Sequence, residues 1–262
     1  MITLPSLDEL LTAGVHFGHL SSRWNPKMSE YIFTTKGRVH VINLEKTLEK
    51  LKTALDYMRD LGARGETILF VGTKRQAKDE VKKAAEACGM PYVTIRWLGG
   101  TFTNYKTIQR TIKKLDKLQQ MKLAPDFETK YTKKERLLME REIQKLMNLF
   151  DGIKNMKKLP EAIFAVDVGH DKIAVKEARA TKIKVVGLVD TNSSVGDVDY
   201  PIPSNDDAIK AISLMANLAA AAVNEGKANP APSSVPTAAS APSPARGEGN
   251  KEEPKEGPNE QK

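Results

Sequence analysis

The residues best able to do chemistry in this sequence are its four histidines and the carboxylates and glycines that follow its apolar runs. His16 and His19, in HFGH, are the only close pair of histidines, and residues three apart on a turn or helix can converge on one metal ion. Asp190 in VDTN and Asp206 and Asp207 in NDDA each follow an apolar run, and the carboxyl edge of a parallel sheet is where ligands collect. His19, Asp190 and Asp206 are therefore the candidate ligands of a divalent metal ion. A competing reading has the histidines packing in an N-terminal segment, with Asn205 or Asp206 capping the last helix.

Other catalytic chemistry finds little support. No Ser sits in a nucleophile elbow, no H-E-x-x-H occurs, and the single Cys88 has no histidine near it in sequence. VGTKRQA ends an apolar run with glycine and opens a helix, but it lacks the full spacing of either phosphate-loop motif. Gly72 as the bend and Thr73 as the N-cap account for it, while Lys74 and Arg75 could hold an RNA phosphate at that helix start.

Two Gly-containing loops combine an aromatic ring, cations and an amide. Arg and Lys neutralise phosphates, rings stack on unpaired bases, and glycine lets the backbone come close, so the combination suits RNA. In GHLSSRWNPKM the candidates are Arg23, Trp24, Asn25 and Lys27; in RWLGGTFTNYKTI they are Arg96, Trp97, Thr103, Asn104 and Lys106. The competing reading for each Trp is a ring packed in a loop under the core. Lys36 and Arg38 in TTKGR add cations at a hairpin tip, and Lys113 and Lys114 add two on the helix after the second loop.

Hydrophobic periodicity gives the elements that must hold these residues. From Glu66 to Gly226 apolar runs alternate with amphipathic stretches, which predicts βαβ units and a mostly parallel sheet. Strands are expected at 67–72, 92–95, 162–168 and 184–190, and helices at 74–87, 172–181 and 206–224. Earlier in the chain, 45–61 is expected as a helix burying Leu48, Leu51, Leu55 and Met58, and 31–33 with 39–42 as a hairpin. The strands at 92–95 and 162–168 should be neighbours, yet the interval between them is far longer than an ordinary crossover. Within it Ile108, Ile112, Leu115 and Leu118, then Met139, Ile143, Leu146 and Phe150, form two apolar stripes at helical spacing, interrupted near Pro125. An antiparallel helix pair is predicted there, as an arm inserted at 106–158 into an α/β domain made of 1–105 and 159–226.

Charge points to the same arm. The formal net charge is +8, and Lys106 to Lys158 holds 15 Lys and Arg against 7 Asp and Glu, so the arm alone carries the surplus. A pI near 9.3 favours an anionic partner, nucleic acid above all. Residues 227–262 hold half of the 14 prolines and no aromatic residue, which predicts a flexible tail. Neither a signal-like start nor an apolar run near the ~20 residues a bilayer needs is present, and one cysteine permits no internal disulfide; a cytoplasmic protein with no membrane partner is expected.

GVHFGH with RWNPKM, then GRVHVINLEKT, FVGTKRQA, RWLGGTFTNYKTI, and VDTN followed by VDYPIPSNDDA occur in this order from about Leu7 to Gly226. Together they resemble the bacterial ribosomal protein S2 family of the small subunit. The resemblance implies a flavodoxin-like, mostly parallel sheet flanked by helices, with an inserted antiparallel helical coiled coil. It implies a structural constituent of the small subunit rather than an enzyme, ribosome-bound in the cytoplasm and supporting translation. The implied partners are small-subunit ribosomal RNA, neighbouring ribosomal proteins and the large mRNA-binding protein, with no small-molecule substrate and no required cofactor. The chain departs from the family in TNSSVGDVDY, which lacks the expected Pro-containing turn, and in IPSNDD, which lacks Gly before the Asn. Two rivals stand beside this reading: a nucleotide- or metal-dependent enzyme using the sheet edge, and a scaffold whose arm grips another protein.

Overall fold

A computed structural model describes residues 3–230, so the expected tail lies, from residue 231 on, outside the described residues. Helix α1 (Leu7–Ala13) starts at a reciprocal cap between Ser6 and Glu9 and stops at Gly14, which takes a left-handed φ of 77°. Strands β1 (Phe17–Leu20), β2 (Ile32–Lys36) and β3 (Val39–Ile42) form a small antiparallel sheet in the order β1-β3-β2. The hairpin is as the sequence predicts; α1 and β1 are additions to it. Helix α2 (Leu44–Ala63) follows, its first amides capped by the Asn43 side chain, with Leu51, Leu55 and Met58 buried.

The main sheet contains β4 (Ile68–Val71), β5 (Tyr92–Val93), β6 (Ala162–Ala165), β7 (Lys184–Val189) and β8 (Tyr200–Pro203), all parallel, in the order β5-β4-β6-β7-β8. That order is the flavodoxin-like one, first strand between second and third. The expected adjacency of the strands near 92 and 162 is thereby corrected: β4 lies between them, and β5 is a two-residue edge strand. Successive side chains of a strand face opposite ways. Accordingly Ile68, Phe70, Phe164, Val186 and Leu188 join one core with α2, α3 (Lys78–Ala87) and α8 (Ile209–Ala228), while Leu69, Val71, Ile163, Val185 and Val189 join a second. The second core also takes Met28, Tyr31, Trp97 and Phe102, together with side chains from α4 (Tyr105–Leu123), α6 (Lys133–Phe150) and α7 (Lys172–Ala180).

Between α4 and α6 lies one helical turn, α5 (Phe127–Lys130). Ile108, Ile112 and Leu115 of α4 and Ile143 and Phe150 of α6 are buried, and Lys114 pairs with Glu142 and Lys122 with Glu140. The Tyr105 hydroxyl donates to the Met156 carbonyl at 2.6 Å, so the start of α4 meets the segment after α6. Both α3 and α8 begin later than the sequence suggests. Thr73 and Lys74 are held by carboxylates elsewhere, and Asn205 Oδ1 accepts from the amides of Asp207 and Ala208, so these residues stay out of the helices that follow. Thr73 is consequently no N-cap, and α8 runs on to Ala228, four residues past the expected end of that helix.

Candidate nucleic-acid interface and carboxylate corner

The carboxyl ends of β4, β6, β7 and β8 converge on a corner rich in carboxylates. Gly18 lets β1 lie against it, because a Cβ there would come within 2.6 Å of Thr191 Cγ2. The His19 amide donates to Thr191 Oγ1 at 2.8 Å, which fixes the imidazole with Nδ1 3.1 Å from Asp190 Oδ1 and Nε2 3.4 Å from Asp207 Oδ2. His16 stays apart, its ring 4.0 Å from that of Phe17. His19, Asp206 and Asp207 each offer a ligand atom within 4.8 Å of the others, and Asp190 adds its hydrogen bond to the imidazole. The structure thus gathers His19 and Asp206 of the expected set with Asp207, while the third expected ligand, Asp190, lies against the imidazole instead.

Lys74 enters the same corner. Its Nζ lies 3.1 Å from Asp167 Oδ2 and 2.7 Å from both Asp206 Oδ1 and Asp207 Oδ1. Burial alone would lower the Lys74 pKa, but hydrogen bonds to Asp206 and Asp207 outweigh it and hold the ammonium above its usual range. The phosphate contact expected of Lys74 is corrected accordingly: its charge is already met by three carboxylates, whereas Arg75 beside it is exposed. Thr73 donates from N and Oγ1 to Asp171 at 3.2 and 2.6 Å. The crevice between β4 and β6, where a sheet of this order would hold a nucleotide, is bridged by these side chains. Burial, then repulsion from Asp167 and Asp190, raises the Asp206 pKa to about 7, and its Oδ2 is buried without a hydrogen-bond partner among the described residues. The hydrogen bond to Asp190 raises the His19 pKa against the opposing effect of burial.

The two aromatic loops hang from the second core. In the first, Met28 is fully buried while Arg23, Trp24 and Lys27 are exposed, Trp24 by 39% with its ring 5.4 Å from His40. Asn25 Oδ1 accepts from the Lys27 amide and the Asn25 amide donates to the Thr191 carbonyl, so this residue shapes the turn. Lys36 and Arg38 are exposed at the hairpin tip, Arg38 in a left-handed conformation at φ 66°.

The second loop corrects one expectation. Trp97 is 7% exposed, packed edge-on to Phe102 at 4.9 Å, and its Nε1 donates to Glu177 Oε1 at 3.3 Å, so the ring cannot stack on a base in this conformation. Glu177 also accepts from the amides of Gly100, Phe102 and Thr103 and from Thr103 Oγ1. Burial tends to raise its pKa, but these donors together hold it below the usual value. Glu177 is the residue that sequence reasoning missed; the signal available was a carboxylate three residues after Ala174 on the buried face of α7. Around this anchored loop Arg96, Thr103, Asn104, Lys106 and Lys113 are exposed, with Asn104 Oδ1 accepting from Thr107 Oγ1. Lys114 is paired to Glu142 at 2.5 Å.

The profile of a protein family described as ribosomal protein S2 matches residues 10–226 of the chain. A curated relative, small ribosomal subunit protein uS2 of Dichelobacter nodosus (strain VCS1703A), is 46% identical over 227 residues, covering 87% of this chain and 85% of that protein.

Proposed function

The chain belongs to the ribosomal protein S2 family, with a structural, non-enzymatic part in the small ribosomal subunit and in translation, and we propose that it fills that part by binding small-subunit ribosomal RNA. The carrying observation is the rooting of both aromatic-basic loops in one core on one side of the sheet, with Arg23, Trp24, Lys27, Arg96 and Lys106 left exposed. Lys36, Arg38, Arg75 and Lys113 extend the cationic surface, Thr103 and Asn104 offer polar groups to it, and Asn25 and Trp97 serve as supports. The helices α4 and α6 act as an antiparallel coiled-coil arm that gives this surface reach. Bound in this way on cytoplasmic ribosomes, the protein contacts neighbouring ribosomal proteins and helps hold the large mRNA-binding one. No membrane partner or small-molecule substrate belongs to this role, and among the described residues no helix is long and apolar enough to cross a membrane. Co-sedimentation with small subunits tests the reading: variants Arg23→Gln with Arg38→Gln should lower occupancy as salt rises, and occupancy indifferent to both would refute it.

A second reading concerns the corner. Asp167, Asp190, Asp206 and Asp207 face one ammonium and one imidazole, and the unpartnered Asp206 Oδ2 points to a place for one divalent cation held by His19, Asp206 and Asp207, with Asp190 orienting the imidazole. The cation would neutralise the excess carboxylate and fasten β1 to the ends of β7 and β8. Elemental analysis of protein dialysed against zinc should give one ion per chain, lost in His19→Ala; equal metal in both would reject the site.

A further inference from the structure

We propose that the outer face of α4, the row Lys106, Arg110, Lys113 and Lys117, is a phosphate-tracking surface for the backbone of double-helical RNA; this rests on the RNA-binding reading above. The four recur at i, i+4, i+7 and i+11, which places them on one stripe of the helix, and all are exposed. The buried residues of α4, Ile108, Ile112 and Leu115, fall on the opposite side, so the stripe points away from α6.

Nothing on α4 neutralises the row. The helix holds six Lys and Arg against Asp116 alone, and the ion pairs that cross to α6 use other lysines, Lys114 with Glu142 at 2.5 Å and Lys122 with Glu140 at 2.9 Å. The third glutamate of α6, Glu135, closes the reciprocal cap with Thr132. Acidic side chains of α6 therefore serve the seam and the cap, while none of the four cations of the row has an ion pair among the described residues. From Lys106 to Lys117 the row spans about 16 Å along a straight axis. It carries no ring to stack on a base and no amide to read one. A stiff, evenly charged rod of this kind matches the regular phosphates of paired RNA, whose deep major groove side chains cannot read, better than an unpaired loop.

The test measures binding of the full chain to transcribed small-subunit ribosomal RNA and to a fully paired RNA of unrelated sequence, over a series of KCl concentrations. Each phosphate contact contributes about 0.9 to the slope of log affinity against log salt. The combined variant Lys106→Gln, Arg110→Gln, Lys113→Gln and Lys117→Gln should lower that slope by about 3 to 4 on both RNAs. The combined Lys134→Gln, Arg141→Gln and Lys145→Gln variant on α6 should change it by less than about 1. Gln is a good helix former, so helicity by circular dichroism should hold; should it fall, Arg110→Gln and Lys113→Gln singly, each worth about 1 in slope, replace the combination. A flat salt response of the unmodified chain sinks the RNA-binding reading itself. A steep response that the α4 variant leaves unchanged sinks only the assignment of this face. A change confined to ribosomal RNA overturns the duplex assignment, and normal binding of both RNAs with failure to enter small subunits makes the partner an acidic protein surface.

Discussion

Single side chains in this protein do work that their sequence neighbours hide. Arg38 and Gly37 occupy consecutive left-handed positions, φ 66° and 58°, in the two-residue turn between β2 and β3. A residue with a Cβ pays about 1 kcal/mol there, so Arg38→Gly should raise stability by up to that amount in chemical denaturation and yet weaken the proposed RNA binding, lowering its salt slope by about 1. Stability lost, or a slope unmoved, contradicts the view that this arginine is kept for its charge. Glu177 behaves in the opposite way. Its folded pKa lies below the usual 4.5, so its stabilising contribution is complete above that value and is lost as pH falls through the depressed folded value. Glu177→Gln should destabilise at neutral pH by roughly 1–3 kcal/mol and flatten the acid limb of the stability curve; denaturation midpoints at neutral and acid pH check both effects. The convergence of His19, Asp190 and Asp206 on one corner was legible because each lies at or beside a strand end. The role of Lys74 was not, since its partners Asp167 and Asp206 lie 93 and 132 residues away and the lysine sits in a stretch that reads as a phosphate loop.

At the scale of elements, periodicity located the helices and the buried strands, because burial on one face or two leaves a period in the sequence. It could not give strand order: β5 and β6 follow one another around the inserted helices, yet β4 separates them, a matter of long-range pairing that no local pattern carries. β1 escaped notice because it is a four-residue strand with no buried side chain, held by its pairing with β3, by the His19 amide and by the closeness of Gly18 to Thr191. The contact between α2 and α8 shows how a glycine can be placed by an element rather than a turn. A Cβ on Gly226 would lie 2.0 Å from the Arg59 carbonyl oxygen, and one on Gly62 2.5 Å from that of Val223. Glycine to alanine within a helix ordinarily gains about 1 kcal/mol, whereas forcing these backbones apart costs about 1–3 kcal/mol. The second effect wins, and Gly226→Ala should lower the thermal midpoint; a rise would mean that the helices separate freely.

The described part of the molecule divides into two cores on either side of one sheet, and the helices α4 and α6 belong to only one of them along part of their length. Ile108, Ile112, Leu115, Ile143 and Phe150 are part of the second core, so the base of the pair is built into the body of the fold. Phe127 is buried but belongs to neither core, packing instead beside Tyr131 at 5.4 Å, so the far end forms a small cluster of its own. Shortening and deletion should therefore differ sharply. Replacing residues 119–138 by a short Gly-rich connection, of a length that ordinarily joins packed helices, keeps every side chain of the second core. The thermal midpoint should move by no more than about 4 °C, the shift expected of roughly 1 kcal/mol in a domain of this size. The row from Lys106 to Lys117 also survives that change, so most of the salt dependence of the proposed RNA binding should persist. Removing 106–158 entirely strips the second core on one side of the sheet and should abolish cooperative unfolding. If the shortened chain instead loses its cooperative transition, the distal turns stabilise the body, and the division of the helix pair into a built-in base and an independent tip is wrong.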